Sequence, residues 1–403
     1  MKKMTQRIST NTSHQIRRRP KKSQKDHSEK FKLFATTDAG FEDVLARELR
    51  RLGASKIRPA DRGVGFTGDL SMVYRANVHL RCAYRVLLEL AEFESSTREA
   101  LYDGVREVFW AEHMTLDQTL AVDAVSHRSE LSHTQFVSRV VKDAIVDGFR
   151  RRYGRRPNVD PQEPDIRINA RILNNRCTLS LDTSGERLHR RGYRPAQGVV
   201  APLKETLAAG ILLKSGYRAG TPLYDPMCGS GTFLVEAALL AKRIAPGLLG
   251  RSHAFRRLPW FDRTVFKQVL EEARASIQKD IDTEIIGSDI DDNALRAVRA
   301  AASGAGVDDI IRIRKQSLRD FQPKGAGMVV TNPPYGERLG EMKSLESLYR
   351  DLGDILKQRC TGMTAHILTG SPFLAKQIGL RPHRRDILFN GPLECRLLHF
   401  RMY

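Results

Sequence analysis

Thr331-Asn332-Pro333-Pro334-Tyr335 gathers three groups that could handle an exocyclic amine. The Asn332 amide oxygen can accept one amine proton, and an adjacent backbone carbonyl, that of Pro333, can accept the other. The Tyr335 ring can stack on the ring that carries the amine. Met328-Val329-Val330 reads as a short buried strand, and Pro333-Pro334 cannot continue it, so the chain must leave the sheet there. In open α/β sheets that carboxyl edge is where ligands bind. A proline-rich loop after a strand is the plainer explanation.

A second group lies upstream. Leu223-Tyr224-Asp225 reads as a strand, and Pro226, Cys228, Gly229 and Gly231 form a turn before the helical run Phe233–Ala241. Glycines there admit a ligand close to the backbone, and the helix start offers unpaired N–H donors. A dehydrogenase fingerprint would need a third glycine near Leu234, which is absent. The turn with Asp225 before it suits a ligand carrying an amino-acid end and a ribose instead. A third strand, Ile285-Ile286-Gly287-Ser288, ends in Asp289, with Asp291 two residues on. A carboxylate there can accept both ribose hydroxyls. Asp291, Asp292 and Asn293 are equally good helix caps, so Asp289 is the better ribose candidate.

The order Asp-Pro-x-Cys-Gly-Ser-Gly-Thr, Gly-x-Asp-x-Asp and Asn-Pro-Pro-Tyr resembles the class I S-adenosylmethionine-dependent methyltransferases that modify exocyclic amines. Pro-Met-Cys-Gly-Ser-Gly-Thr-Phe is most similar to RNA guanine-N2 methyltransferases carrying a THUMP domain. Ile244-Ala245-Pro246-Gly247, then Phe255, Trp260, Phe261 and Asp262, resembles their large-subunit (23S) ribosomal RNA branch. The resemblance covers roughly residues 31–403. It implies S-adenosyl-L-methionine as cofactor, RNA as partner, no metal, and N2-methylguanosine as product. It also implies a weaker cofactor role for Glu205, at the start of a helix that overlies the cofactor in relatives. One departure stands out. Many relatives end the strand at Ile311–Lys315 with an Asp that accepts from the adenine amine; here Gln316 or Ser317 must serve.

Position demands architecture. The fold class expected is α/β: a Rossmann-like class I methyltransferase domain with a seven-stranded, mostly parallel sheet at 203–403. It should close with an antiparallel pair, Asp386–Phe389 and Glu394–Met402. Before it come a ferredoxin-like α+β domain at 31–97, a THUMP RNA-binding domain at 98–188 and a linker at 189–202. In the first, Lys32–Thr36 reads as a strand, Phe41–Leu52 as a helix, and Leu70 through Leu90 as one longer helix. In the second, Thr134–Arg152 reads as a helix and Asp165–Asp182 as a hairpin turned at Asn174-Asn175.

Charge supports a nucleic-acid partner. The chain has 67 Lys+Arg against 47 Asp+Glu, a net +20. Residues 1–30 carry ten Lys/Arg and two acids and lack periodicity. This predicts a disordered tail, either a phosphate-binding arm or a solubilising one. Arg150, Arg151, Arg152, Arg155 and Arg156 exceed what a helix C-terminus needs, which favours an RNA-phosphate patch. Arg190, Arg191 and Arg194 in the linker stand as further RNA candidates. No run of about 18 apolar residues exists, so no membrane span is expected, and nothing at the start reads as a secretory signal. The five cysteines form no C-x-x-C pair, which suits a reduced cytoplasmic setting without zinc. Rival readings share the same amine logic: tRNA guanine-N2, N6-adenine or N4-cytosine methyltransferases. A protein-glutamine N5-methyltransferase also uses Asn-Pro-Pro-Tyr, and the basic amino-terminal region argues against it. An RNA-binding assembly factor with a silent cofactor site is the non-enzyme alternative.

Overall fold

The computed structural model describes residues 30–194, 203–335 and 342–403. The basic tail lies outside them except for Lys30, as do linker residues 195–202. In chain order the first half holds β1 (Phe31–Thr36), α1 (Glu42–Arg51), β2 (Ser55–Ala60), β3 (Gly63–Gly68), α2 (Leu70–His79) and β4 (Arg85–Glu94). It continues with α3 (Arg98–Arg106), β5 (Leu120–His127), α4 (Thr134–Tyr153), β6 (Ile166–Leu173) and β7 (Arg176–Asp182). The second half holds α5 (Glu205–Lys214), β8 (Leu223–Asp225), α6 (Thr232–Ala241), α7 (Arg263–Ala275), β9 (Ile285–Asp289) and α8 (Asp292–Ala305). Then come β10 (Ile311–Lys315), β11 (Met328–Thr331), α9 (Met342–Arg359), β12 (Thr364–Thr369), α10 (Pro372–Gln377), β13 (Arg384–Asn390) and β14 (Leu393–Arg401).

The first half forms one seven-stranded sheet, ordered β2-β3-β1-β4-β7-β6-β5. β4 pairs antiparallel with β7, so the ferredoxin-like and THUMP units share hydrogen bonds rather than standing apart. The expected helix over Leu70–Leu90 is corrected. α2 ends at His79, Leu80 is extended, and β4 pairs with β1 and β7. The stop comes from afar: the Glu48 carboxylate accepts the backbone N–H groups of Arg81 (2.8 Å) and Cys82 (3.1 Å). No glycine or proline marks it. The β2–β3 hairpin is a further difference, turned at Arg62 with φ 55°. The hairpin of β6 and β7 turns where expected, with Asn174 and Asn175 at φ 49° and 61°. Two consecutive left-handed residues give the twist that a two-residue hairpin needs.

The second sheet is ordered β10-β9-β8-β11-β12-β14-β13, with β14 antiparallel to both neighbours and the other pairings parallel. It is the mostly parallel α/β sheet of the class I methyltransferase fold. β8 and β11 are buried along their whole length, as strands covered on both faces are. Strand order reverses between β8 and β11, the switch point at which a crevice opens at the carboxyl ends.

The insert between α6 and β9 ties the halves together. The Tyr74 ring on α2 lies 4.6 Å from Phe255, 5.9 Å from Phe261 and 5.6 Å from Phe266, centroid to centroid. Its hydroxyl accepts the Asp262 N–H at 2.9 Å. Phe255, Leu258, Phe266 and Val269 thereby join the core of the first sheet. On the other side, Phe41 and Val44 of α1 share a core with Leu207, Ala208 and Ile211 of α5.

Candidate active site

Asp225 ends β8 and Pro226–Gly231 make the turn into α6. Gly229 (φ 50°) and Gly231 (φ 73°) are both left-handed, a conformation that glycine adopts without penalty. A Cβ on Gly231 would come within 2.8 Å of Val298, so its bareness also lets α6 and α8 approach. A Cβ on Gly229 would meet no described atom within 4 Å, so the backbone there is open to a ligand. The turn is bolted to β9: the Cys228 N–H donates to Ser288 O (3.0 Å), and Ser288 Oγ to Pro226 O (3.4 Å). Gly287 permits this closeness, since a Cβ there would stand 2.3 Å from Leu234 Cδ1 on α6 and 3.3 Å from Cys228 Sγ. Cys228 is buried, and burial raises its thiol pKa well above the ordinary value.

Asp289, half-buried at the end of β9, orders the site. Its Oδ2 accepts the Gly229 N–H at 2.9 Å and its Oδ1 the Asp291 N–H at 3.0 Å. Each oxygen keeps a lone pair for a further donor. Asp291 is exposed and caps α8 by accepting the Asn293 N–H (2.8 Å). Asp225 is buried, and burial first, then the Asp289 charge, pushes its carboxyl up to about 7. The Met227 N–H donates to it at 3.3 Å.

β11 carries Asn332 to the same edge of the sheet. Val329 and Val330 are fully buried, Thr331 ends the strand, and Asn332 follows half-buried. The Asn332 Oδ1 atom is buried and has no hydrogen-bond partner among the described residues. A buried acceptor without a partner is uncommon and calls for an explanation. Pro333 is buried, Pro334 exposed and Tyr335 half-buried. The Tyr335 hydroxyl accepts from Asn390 Nδ2 at 3.4 Å, and its ring lies against Gly370, where a Cβ would come within 3.1 Å of it. Burial raises the Tyr335 pKa, so the ring is neutral. β9 and β11 flank β8, so Asp289 and Asn332 stand two strand spacings apart, roughly 10 Å.

The remaining candidates divide. Gln316 follows β10, its N–H donates to Asp289 O (3.1 Å), and its Nε2 donates to Asp320 O. The amide oxygen is thereby turned away from that carbonyl. Ser317 Oγ accepts the Arg319 N–H (3.3 Å), so it caps a short turn. Glu205 is buried at the start of α5 and pairs with Arg194 at 3.3 Å; burial raises its carboxyl pKa. Arg194 also donates to Leu203 O and Thr232 Oγ1, both at 2.7 Å.

One linker expectation is corrected. Arg191 is 1 % exposed, paired with the fully buried Glu236 (3.3 Å), and donates to Leu188 O and Arg81 O. It has no surface to offer RNA. Arg194, partly exposed, bonds inward and joins the linker to α5 and α6. Arg190 remains exposed, beside Glu186. Arg150, Arg151, Arg152, Arg155 and Arg156 are all exposed at the end of α4. Arg152 stacks over Phe109 at 4.4 Å, which fixes one guanidinium of that cluster. Sequence reasoning missed Glu236 and Tyr193, whose hydroxyl donates to the same carboxylate (3.2 Å). Nothing in their spacing singles them out.

Comparison with known proteins gives three domain matches: an RlmL ferredoxin-like domain at 32–87, a THUMP domain at 95–182 and an RMKL-like methyltransferase domain at 191–399. The chain is 47 % identical over 381 residues to ribosomal RNA large subunit methyltransferase K/L of Syntrophotalea carbinolica, covering 92 % of this chain and 53 % of that protein. It thus spans about half the length of such curated relatives. It is 42 % identical to slr0064 of Synechocystis sp. PCC 6803, covering 92 % of this chain and 96 % of the other. The structure of SMU.472, solved with SAH, superposes with a TM-score of 0.84 at 32 % identity, covering 93 % and 99 % of the two chains.

Proposed function

The chain belongs to the RMKL-like methyltransferase family, and from that premise we propose that it methylates the exocyclic N2 of a guanosine in 23S ribosomal RNA, with S-adenosyl-L-methionine as donor. The observation that carries the reading is the buried Oδ1 of Asn332, without a partner among the described residues, at the switch point of the sheet. An acceptor held dry and unpaired is preorganised for a donor that arrives only with the substrate.

The cofactor fits the residues present. The open backbone at Gly229, the free lone pairs of Asp289 and the buried Asp225 offer places for an amino-acid end and a ribose. The Gln316 amide oxygen is the acceptor available to the adenine amine, because Ser317 is engaged as a cap. Glu205 acts on the cofactor only through Arg194 and Thr232, as a positioning residue. The cofactor supplies an electrophilic methyl group when bound. Asn332 Oδ1 would accept a hydrogen bond from one N2–H and the Pro333 carbonyl from the other, turning the amine lone pair toward that methyl, and the N2 proton displaced by the new N–C bond would leave to solvent. Positioning the two then supplies much of the rate. Tyr335, backed by Gly370 and tethered by Asn390, offers the ring face on which the base stacks. A paired base cannot enter, so it is flipped, at a cost of a few kcal/mol.

RNA is held by the THUMP unit and its Arg150–Arg156 cluster, and the enzyme works in the cytoplasm. No helix among the described residues is long and apolar enough to cross a membrane. The division into 31–97, 98–188 and 203–403, with 189–202 between, is read as recognition units feeding one catalytic unit. The decisive experiment is nucleoside mass spectrometry of ribosomal and transfer RNA from a strain lacking the gene. Loss of N2-methylguanosine from 23S RNA is expected. Loss of N6-methyladenosine instead, or of N2-methylguanosine from transfer RNA alone, overturns the assignment.

A further inference from the structure

At the far end of α6 from the glycine turn, the two halves line an open cleft of about 640 Å³. α1, the segment after α2, the α5–β8 connection and the end of α6 form its walls. Six cations line it, Arg47, Arg51, Arg81, Lys214, Arg218 and Arg243, against one acid, Glu48. Glu48 faces Arg81 alone among them: its oxygens accept two backbone N–H groups, and its charge acts on the Arg81 guanidinium. Asp43, outside the lining, takes up Lys214 (3.0 Å) and Arg47 (3.5 Å). His79, also in the wall, is held neutral: burial first, then Arg81 and Arg75, lower its pKa to about 4. Arg51, Arg218 and Arg243 are exposed, and their side chains meet no partner among the described residues.

Two neighbouring side chains are more than nine-tenths buried: Arg81 donates through Nη2 to Leu239 O (3.2 Å) and Ile244 O (2.7 Å), and neither its Nη1 nor the Tyr217 hydroxyl has a partner among the described residues. Like charges around one cleft repel, and a bound anion relieves that repulsion. We propose that this seam binds phosphate oxyanions, gripped by the guanidinium groups of Arg51, Arg218 and Arg243. The planar guanidinium fork matches phosphate oxygens two at a time.

Two sources carry that chemistry: phosphodiester groups of the RNA backbone, or a free phosphate compound. The first rests on the RNA reading above. α6 has ten residues, so the cleft lies about 15 Å from the glycine turn. A strand flanking the flipped base, not the base itself, would run there. The test compares full-length protein with Arg51→Gln/Arg218→Gln/Arg243→Gln. Melting is followed against inorganic pyrophosphate at constant ionic strength, and binding of a 23S RNA transcript against salt. Cofactor binding by calorimetry, which should not change, reports that the variant is folded; Arg218→Gln alone serves if it is not.

Wild type should gain melting temperature saturably with pyrophosphate and the variant should not. A log–log salt slope for RNA reduced by roughly 2–3, at 0.7–0.9 per lost contact, assigns the site to the RNA backbone. Loss of the pyrophosphate response with an unchanged slope assigns it to a free phosphate compound. Identical behaviour of the two proteins in both arms overturns the proposal. That failure leaves methyl transfer untouched, so it is distinguishable from failure of the RNA reading.

Discussion

Replacing Asn332 with alanine should cost activity without costing stability, and the two effects come from the same atom. Oδ1 is buried and has no partner among the described residues, so the folded protein bears the desolvation of that acceptor with no return from them, about 1–3 kcal/mol. Asn332→Ala removes that burden together with some packing of a half-buried side chain, so the net change should lie near zero or be stabilising. For a domain of this size each kcal/mol moves the melting temperature by about 2–4 °C, so the variant should melt no more than a few degrees below wild type. The rate effect runs the other way. Loss of one preorganised hydrogen-bond group costs about 2–4 kcal/mol in the transition state, roughly 30- to 1000-fold in rate. Single-turnover methyl transfer, with cofactor and RNA both saturating, isolates this from binding. Calorimetric cofactor affinity should be unchanged, because Asn332 follows β11 while Asp289, the proposed ribose carboxylate, ends β9. A variant that transfers methyl at the wild-type rate would refute the clamp. A variant that loses several kcal/mol of stability would refute the claim that Oδ1 is unpaired in the free enzyme.

Three further outcomes follow from the same geometry. Asp289→Ala should weaken cofactor binding by about 1.5–3 kcal/mol, read by calorimetry, and it should also loosen the turn whose Gly229 N–H it holds; unchanged affinity would move the ribose contact to Asp291. Asp225, with its pKa raised from 3.8 to about 7, binds a proton in the folded state that it would release when unfolded near neutrality. Its contribution is therefore fully present below about pH 4 and lost as pH rises toward 7, by up to roughly 4 kcal/mol, and Asp225→Asn should flatten the melting temperature over that window. Replacing Arg151, Arg152, Arg155 and Arg156 with Gln should weaken all RNAs about equally and lower the salt slope by roughly 0.7–0.9 per contact, since phosphate contacts do not read sequence; an unchanged slope would relocate the RNA anchor.

How far the site could be read from sequence depends on how local its causes are. Gly229 and Gly231 are needed by backbone conformation, and Pro333-Pro334 by a strand that must stop; such demands are written in the residues themselves. The α2 stop was invisible because its cause is Glu48, more than thirty positions upstream, reaching the N–H groups of Arg81 and Cys82. A run without glycine or proline continues as a helix until something distant interrupts it. The same holds for sheet continuity: nothing in β4 announces that its far edge pairs with β7, about ninety residues later.

The linker arginines carry this further. Arg190, Arg191 and Arg194 look alike in sequence, yet one is exposed, one fully buried and one bonded inward. The buried pair Arg191–Glu236 sits where the first sheet, the linker and α6 meet: its guanidinium donates to Arg81 O in one half, and its carboxylate stands on α6 of the other. Removing one partner of such a pair strands the other charge out of water, which typically costs about 3–5 kcal/mol. The pair therefore penalises any arrangement in which the halves separate, and it ties the ferredoxin-like unit, whose sheet the THUMP unit continues, to α6 and so to the glycine turn from which α6 starts.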